Sequence, residues 1–339
     1  MSALSQRKYA DSTVAPFLLL AVVWGSSFPA IEVGVAHLPP LLLAGARYVV
    51  AGAVVFGYAA VTADRILPRT RAEFAAVAAA GAFTFAGYQA FLFIGEQYVS
   101  GSIAAVVISL SPVLTSVLAG PVLGEARDAT DGIGFLLGIV GVALVARPEA
   151  GFAQFLSGGA GGTTLTVAGT ALTLNPTVIG VVLVLLGTLS FSLGAVFTRS
   201  LETALPVETL QSWAMLGGAV VLLAGAHARG ESVPALETIP PAALVALAYV
   251  ALVSGALGYV IYFHLLDTAG ATETTLVAYL EPIVATAVAA GVLGHAVAPT
   301  TLAGFTVVLA GFLVVKRQQV GHVVRSGYAE VAEVSYDSR

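Results

Sequence analysis

Apolar residues run through this chain in blocks of near-membrane length, separated by short polar or Pro/Gly stretches. A helix needs about 20 predominantly apolar residues to cross the hydrocarbon core of a bilayer. The pattern supplies ten such blocks, at 15–35, 40–61, 74–95, 100–122, 131–147, 177–198, 208–227, 242–265, 272–293 and 300–316. The residue-by-residue alternation of a membrane barrel strand is not the pattern here. The expected fold is an all-α integral membrane protein of ten transmembrane helices. The first block follows Arg7 and Lys8. It is too long for the core of a signal peptide and lacks a convincing cleavage site, so it is expected to remain as a helix.

The blocks repeat. "GYQAFLF" from 87 returns as "GYVIYFH" from 258, "SLSPVLTSVLAGPVLGE" (109–125) as "YLEPIVATAVAAGVLGH" (279–295), and "GFLLGIVGVALVARP" (134–148) as "GFTVVLAGFLVVKRQ" (304–318). Pro112 thereby pairs with Pro282, Ser111 with Glu281 and Gly141 with Gly311, at an offset of 170. The front of each half is more divergent, with Leu38-Pro39 matching Leu205-Pro206. Each half holds five spans, an odd number, so the second copy must enter the membrane from the opposite face. The chain is expected to divide into a first repeat at 1–147, an external linker at 148–176, a second repeat at 177–317 and a cytoplasmic tail at 318–339. Inverted repeats of this kind serve carriers that expose one midplane site alternately to each side.

Composition agrees with the pattern: 58% of residues are hydrophobic and 10% charged, where soluble domains carry about 25% charged residues. The mean hydropathy is +0.94. Ten spans put both termini on one side. Arg7, Lys8, Arg65, Arg69, Arg71, Arg127, Arg199, Lys316, Arg317, Arg325 and Arg339 fall on that side, against Arg147 and Arg229 on the other. Because cytoplasmic loops retain Lys and Arg, both termini are expected in the cytoplasm, with the protein in the plasma membrane. A net charge of -5 with two lysines argues against a nucleic-acid or polybasic lipid-binding surface. The absence of cysteine excludes disulfides and thiolate chemistry.

A charge at the bilayer centre costs about 2.5–3.5 kcal/mol on insertion scales, so ionisable residues inside spans face a cavity or a partner. Glu32, Arg47 and Glu281 are such residues. Glu32 and Arg47 lie close enough to the same membrane face to meet, either as an ion pair tying the first two helices together or as substrate ligands. Glu281 precedes Pro282, whose missing N–H leaves a carbonyl near Ala278 without its helical partner. A polar residue at a proline kink, with Ser111 before Pro112 as its mate, suits a midplane site, and Glu281 is the candidate proton-coupling group. Trp24, Ser27, Tyr88, Gln89, Tyr259, Tyr262 and Tyr279 supply further aromatic and hydrogen-bonding groups, as does His264. The pair of glycines at Gly134 and Gly138 reads as helix packing.

The phrases "WGSSFPAIEVG", "LPPLLLAGARYVV", "SPVLTSVLAGPVLGE" and "AYLEPIVATAVAAGVLGH" resemble the EamA-type carriers of the drug/metabolite transporter superfamily over residues 15–317. The resemblance implies a ten-helix carrier of small metabolites, often an exporter, with a central cavity lined by both repeats. Two positions depart from it. Glu32 stands where such carriers commonly have Lys or Arg, and His295 follows Gly294 where the second repeat usually closes with Gly-Glu. The first departure bears on substrate charge; the second is expected to affect only a helix end.

The chain contains no GxxxxGK for ATP, no HExxH for zinc and no GxSxG for a serine hydrolase. The expected function is secondary transport of a small metabolite, amino acid-like or another polar organic solute, with export favoured, and no enzymatic activity. The alternative is an intramembrane enzyme or lipid-handling protein using Glu281 and His264 as acid and base. No cofactor or metal is expected. The partners are a small-molecule substrate, the lipid bilayer and, as a candidate coupling ion, protons; monomer and homodimer are both open.

Overall fold

A computed structural model describes residues 3–123, 129–146, 163–167, 170–268, 274, 276–296 and 298–315. Among these the regular structure is helical except for one antiparallel hairpin, Thr163–Val167 paired with Thr170–Leu174. The hairpin falls within the expected linker, most of which, like the tail from 318, lies outside the described residues. Seven helices are long and apolar enough to cross a membrane, and three shorter apolar ones accompany them. In chain order they are α1 (Val14–Val35), α2 (Pro40–Thr62), α3 (Arg71–Gly95), α4 (Gly101–Leu123), α5 (Gly132–Ala146), α6 (Pro176–Ser200), α7 (Val207–Ala228), α8 (Pro241–Thr268), α9 (Val277–Val292) and α10 (Pro299–Val314). The ends follow from local chemistry. Proline opens α2, α6 and α8 at a position whose N–H has no helical partner, and Pro206 stands just before α7. Thr70 and Glu73 form a reciprocal capping box at the start of α3.

Apolar side chains cover the outside as well as the inside. Leu18, Val22, Val54, Phe74, Leu136, Val220 and Val245 are exposed, while Leu20, Tyr48, Phe85, Phe93, Leu110 and Met215 fill the interior. A bundle apolar on every side suits lipid as its solvent.

Four helices are interrupted. α1 breaks at Ser26, between Gly25 and Ser27, and α4 divides into Gly101–Ile108 and Ser111–Leu123 just before Pro112. α3 and α8 each contain a wide-turn π stretch, Ala80–Gly87 and Tyr249–Leu257. Such stretches displace backbone carbonyls from regular bonding and recur at functional sites. Here the freed groups find side chains from the other half of the chain: Ser190 donates to the Phe83 carbonyl at 2.8 Å, and Trp24 Nε1 donates to the Ser254 carbonyl at 3.2 Å. Phe83 and Ser254 correspond in the repeat that aligns Tyr88 with Tyr259.

The helix packing maps onto itself when the halves are exchanged. α3 lies on α6 as α8 lies on α1; α4 lies on α6 as α9 lies on α1; α3 meets α7 as α8 meets α2; and α2–α7 and α5–α10 pair directly. At α5–α10 the exchange reaches single glycines. A methyl group added at Gly311 would stand 2.6 Å from the Gly134 carbonyl and 3.0 Å from the Gly138 nitrogen, and one at Gly304 would stand 2.6 Å from the Gly141 carbonyl. The absence of side chains lets the two backbones touch, as small-residue motifs do between membrane helices.

Candidate functional site

The interior polar cluster is built around Arg47, which lies about 10 Å along α2 from its start. The residue is 5% exposed. Its Nη1 donates to Gln89 Oε1 on α3 at 3.3 Å and its Nη2 to Ser254 Oγ on α8 at 3.4 Å. The guanidinium also lies 4.8 Å from the Tyr48 ring centroid and 5.9 Å from that of Phe93. Its Nε has no hydrogen-bond partner, and no carboxylate pairs with it among the described residues. Gln89 is fixed from its other end, Nε2 donating to the Tyr48 hydroxyl at 2.8 Å. Residues from α2, α3 and α8 thus orient one cation that no described residue neutralises by direct contact.

An aromatic wall adjoins this cluster. The Phe85 ring lies 5.1 Å from Tyr48 and 5.7 Å from Tyr259, and Trp24 lies 5.6 Å from Tyr259 and 5.5 Å from Tyr262. Ser254 links the two parts, taking the Arg47 donor on its hydroxyl and the Trp24 donor on its carbonyl. Tyr88, the repeat mate of Tyr259, meets Phe191 at 5.3 Å, and Glu281 is near enough for its charge to act on the Tyr88 hydroxyl.

Glu281 is buried on α9 and its side chain has no hydrogen-bond partner among the described residues. Its carbonyl abuts α1, where a methyl group at Gly25 would stand 2.9 Å away. The corresponding carbonyl, of Ser111, accepts from Ser192 Oγ on α6 at 3.2 Å. The two proline-adjacent carbonyls therefore face the first helix of the opposite half.

Several expected site residues lie elsewhere. Glu32 does not reach Arg47. Its Oε2 accepts the Gly101 N–H at 2.8 Å, capping the start of α4, and its Oε1 lies 3.5 Å from His295 Nδ1. The cause is rotation about the helix axis: eight residues from Trp24 turn a side chain by roughly 80° away from the starting face, and the break at Ser26 intervenes. His295 is accordingly more than a helix-end residue, since it joins the end of α9 to α1 through the other position that departs from the family pattern. Ser27 bonds back to the Trp24 carbonyl at 2.6 Å. Tyr279 stacks on Phe312 at 4.0 Å, and its hydroxyl is buried without a partner. His264 is exposed on α8 whereas Glu281 is buried on α9, so the acid–base pair of the enzymatic alternative is not assembled.

Sequence reasoning passed over Tyr48, Phe85 and Ser254, which complete the Arg47 cluster. It also passed over Glu96, just beyond α3, which is 4% exposed with both carboxyl oxygens unpartnered. Gln89, Phe93 and Glu96 lie at i, i+4 and i+7, the spacing of one helix face, and that spacing was the available signal.

A model of the EamA-like transporter family matches residues 12–147 and, again, 178–317. The chain belongs to this family. It is a multi-pass membrane transporter. Similar proteins include the uncharacterized inner membrane transporter YedA of Escherichia coli K12, 26% identical over 278 residues that cover 81% of each chain. A probable terminal-alkyne amino-acid exporter of Streptantibioticus cattleyicolor is 29% identical, covering 92% of this chain and 95% of its own. A probable amino-acid metabolite efflux pump of Salmonella typhimurium is 27% identical, covering 88% and 92%. One solved crystal structure shares the fold with a TM-score of 0.59 at 17% identity, over 91% of this chain and 99% of that one.

Proposed function

We propose that this EamA-family transporter is a secondary exporter of a small carboxylate-bearing metabolite, amino acid-like in its charged groups, working by alternating access. Its ten helices form two inverted five-helix repeats, 1–147 and 177–317, joined by an external linker. The exchange-symmetric packing supports the repeat, and the excess of Lys and Arg on one side supports cytoplasmic termini.

One observation carries the substrate reading: Arg47 is buried, oriented by Gln89 and Ser254, and has no anionic partner among the described residues. A buried guanidinium without a counter-charge is costly, and a bidentate carboxylate from a bound solute is the geometry it favours. The names of the two exporter relatives point to the same class. Purified protein in sealed liposomes should exchange at least one labelled L-amino acid by counterflow and release it chemically unchanged. Absence of counterflow across the twenty common amino acids, with no thermal stabilisation by any of them, would sink this reading.

Orientation has its own check. Val233 and Leu67 are exposed, at 78% and 55%, between α7 and α8 and between α2 and α3 respectively. In a chain free of cysteine, Val233→Cys should be labelled on intact cells by an impermeant thiol reagent and Leu67→Cys protected. The opposite result would invert the topology.

A further inference from the structure

We infer that Glu96 is the cation subsite of the transport site, receiving the ammonium group of the same solute whose carboxylate Arg47 holds. The inference rests on the transporter reading above and extends it to a residue outside the membrane-length helices. Glu96 follows α3 directly, and its backbone N–H still bonds to the Leu92 carbonyl at 2.9 Å, so it continues the helical face. That face presents Gln89 and Phe93 to Arg47, with Glu96 one turn closer to the end of the bundle. Its charged surroundings are Arg47 and Glu32, of which the second is already engaged by Gly101 and His295.

The chemistry is that of two half-built contacts. Both oxygens of Glu96 and the Nε of Arg47 are buried without partners, and native proteins seldom leave such groups unsatisfied unless something else supplies the partner. The two do not pair with each other among the described residues. An amino acid carries both complements on one carbon. Its carboxylate would occupy the guanidinium, its ammonium would donate to Glu96, and its side chain would lie toward the Trp24–Tyr259 wall. A guanidinium for the carboxylate and a carboxylate for the ammonium also give the site a polarity. A monocarboxylate would leave Glu96 without an ammonium and a simple amine would leave Arg47 without a carboxylate; in both cases an unmet buried polar group disfavours binding.

The test uses the purified full-length protein and three probe sets: L-leucine, L-phenylalanine and L-threonine, each beside its deaminated and its decarboxylated analogue. Binding is read by calorimetry and thermal shift. The parent should prefer at least one amino acid over both of its analogues by roughly ten- to a hundredfold. Glu96→Gln should bind that amino acid and its deaminated analogue alike, and its unfolding midpoint should equal or exceed the parent's, because no structural partner is lost. A Glu96→Gln protein that keeps the parent's preference overturns the assignment. So does one whose midpoint falls, since that marks Glu96 as a structural contact. If the parent binds none of these three, the remaining common amino acids are screened in the same way, and binding by none of the twenty sinks the substrate reading and this subsite with it.

Discussion

Arg47→Gln is expected to fold, reach the membrane and lose binding of a carboxylate-bearing solute by about thirtyfold or more, the cost of removing one partner from a desolvated charge pair. Folding should survive because the arginine has no carboxylate partner to abandon. Its contacts are the neutral Gln89 and Ser254 and the faces of Tyr48 and Phe93. The expected loss in the unfolding midpoint is therefore small, while counterflow falls to background. Arg47→Lys separates charge from shape: it keeps the cation but cannot hold a carboxylate in two parallel bonds, so partial binding is expected. Adding Glu32→Gln should not rescue Arg47→Gln, because Glu32 caps α4 and meets His295 instead. Wild-type counterflow by Arg47→Gln, or rescue by the second change, would remove Arg47 from the site.

The difference between what could and could not be read from sequence lies in axial against rotational position. Hydropathy locates helices along the chain because lipid demands a continuous apolar run, and α2 begins at Pro40 and α6 at Pro176 within a residue of the expected 40 and 177. Depth along the helix axis is equally legible at 1.5 Å per residue, which is why Arg47 and Glu32 were expected near the same end. Rotation is not. The break at Ser26 and the π stretches at Ala80–Gly87 and Tyr249–Leu257 alter the turn angle between residues that flank them. No residue type in those stretches announces the change. Glu32 therefore faces α4 while Trp24, two turns earlier, faces α8.

Tyr48 and Ser254 were missed for a related reason: in a chain this apolar, one hydroxyl within a span reads as an ordinary packing residue until its neighbour is known to be a cation. Glu96 was passed over because it sits in "GEQYVS" between two apolar blocks, where an acid ordinarily meets solvent. Its burial arises from tertiary packing beyond the reach of a linear pattern. Glycine contacts were the reverse case. Gly134 and Gly138 were read as packing positions, and Gly311 of α10 rests against both.

Glu281→Gln is expected to separate solute exchange from its energy source. Glu281 is buried on α9, precedes Pro282 inside the continuous helix, lacks a hydrogen-bond partner among the described residues and is near enough for its charge to act on Tyr88. In the proposed alternating-access cycle a carboxyl so placed would gain and lose a proton as the site opens to each side, and a carrier that exchanges protons for solute needs one such group. Glutamine copies the protonated form in shape and hydrogen bonding. The mutant should keep the parent's unfolding midpoint and its counterflow, which needs no net proton movement, yet lose nearly all accumulation driven by a pH gradient across the liposome. The two assays run on the same preparation, so a folding defect would lower both. Accumulation as strong as the parent's would show that coupling rests on another group, and Glu96 and Glu32 would then be exchanged for glutamine in turn. Loss of counterflow together with accumulation, at an unchanged midpoint, would make Glu281 a solute ligand rather than a proton carrier.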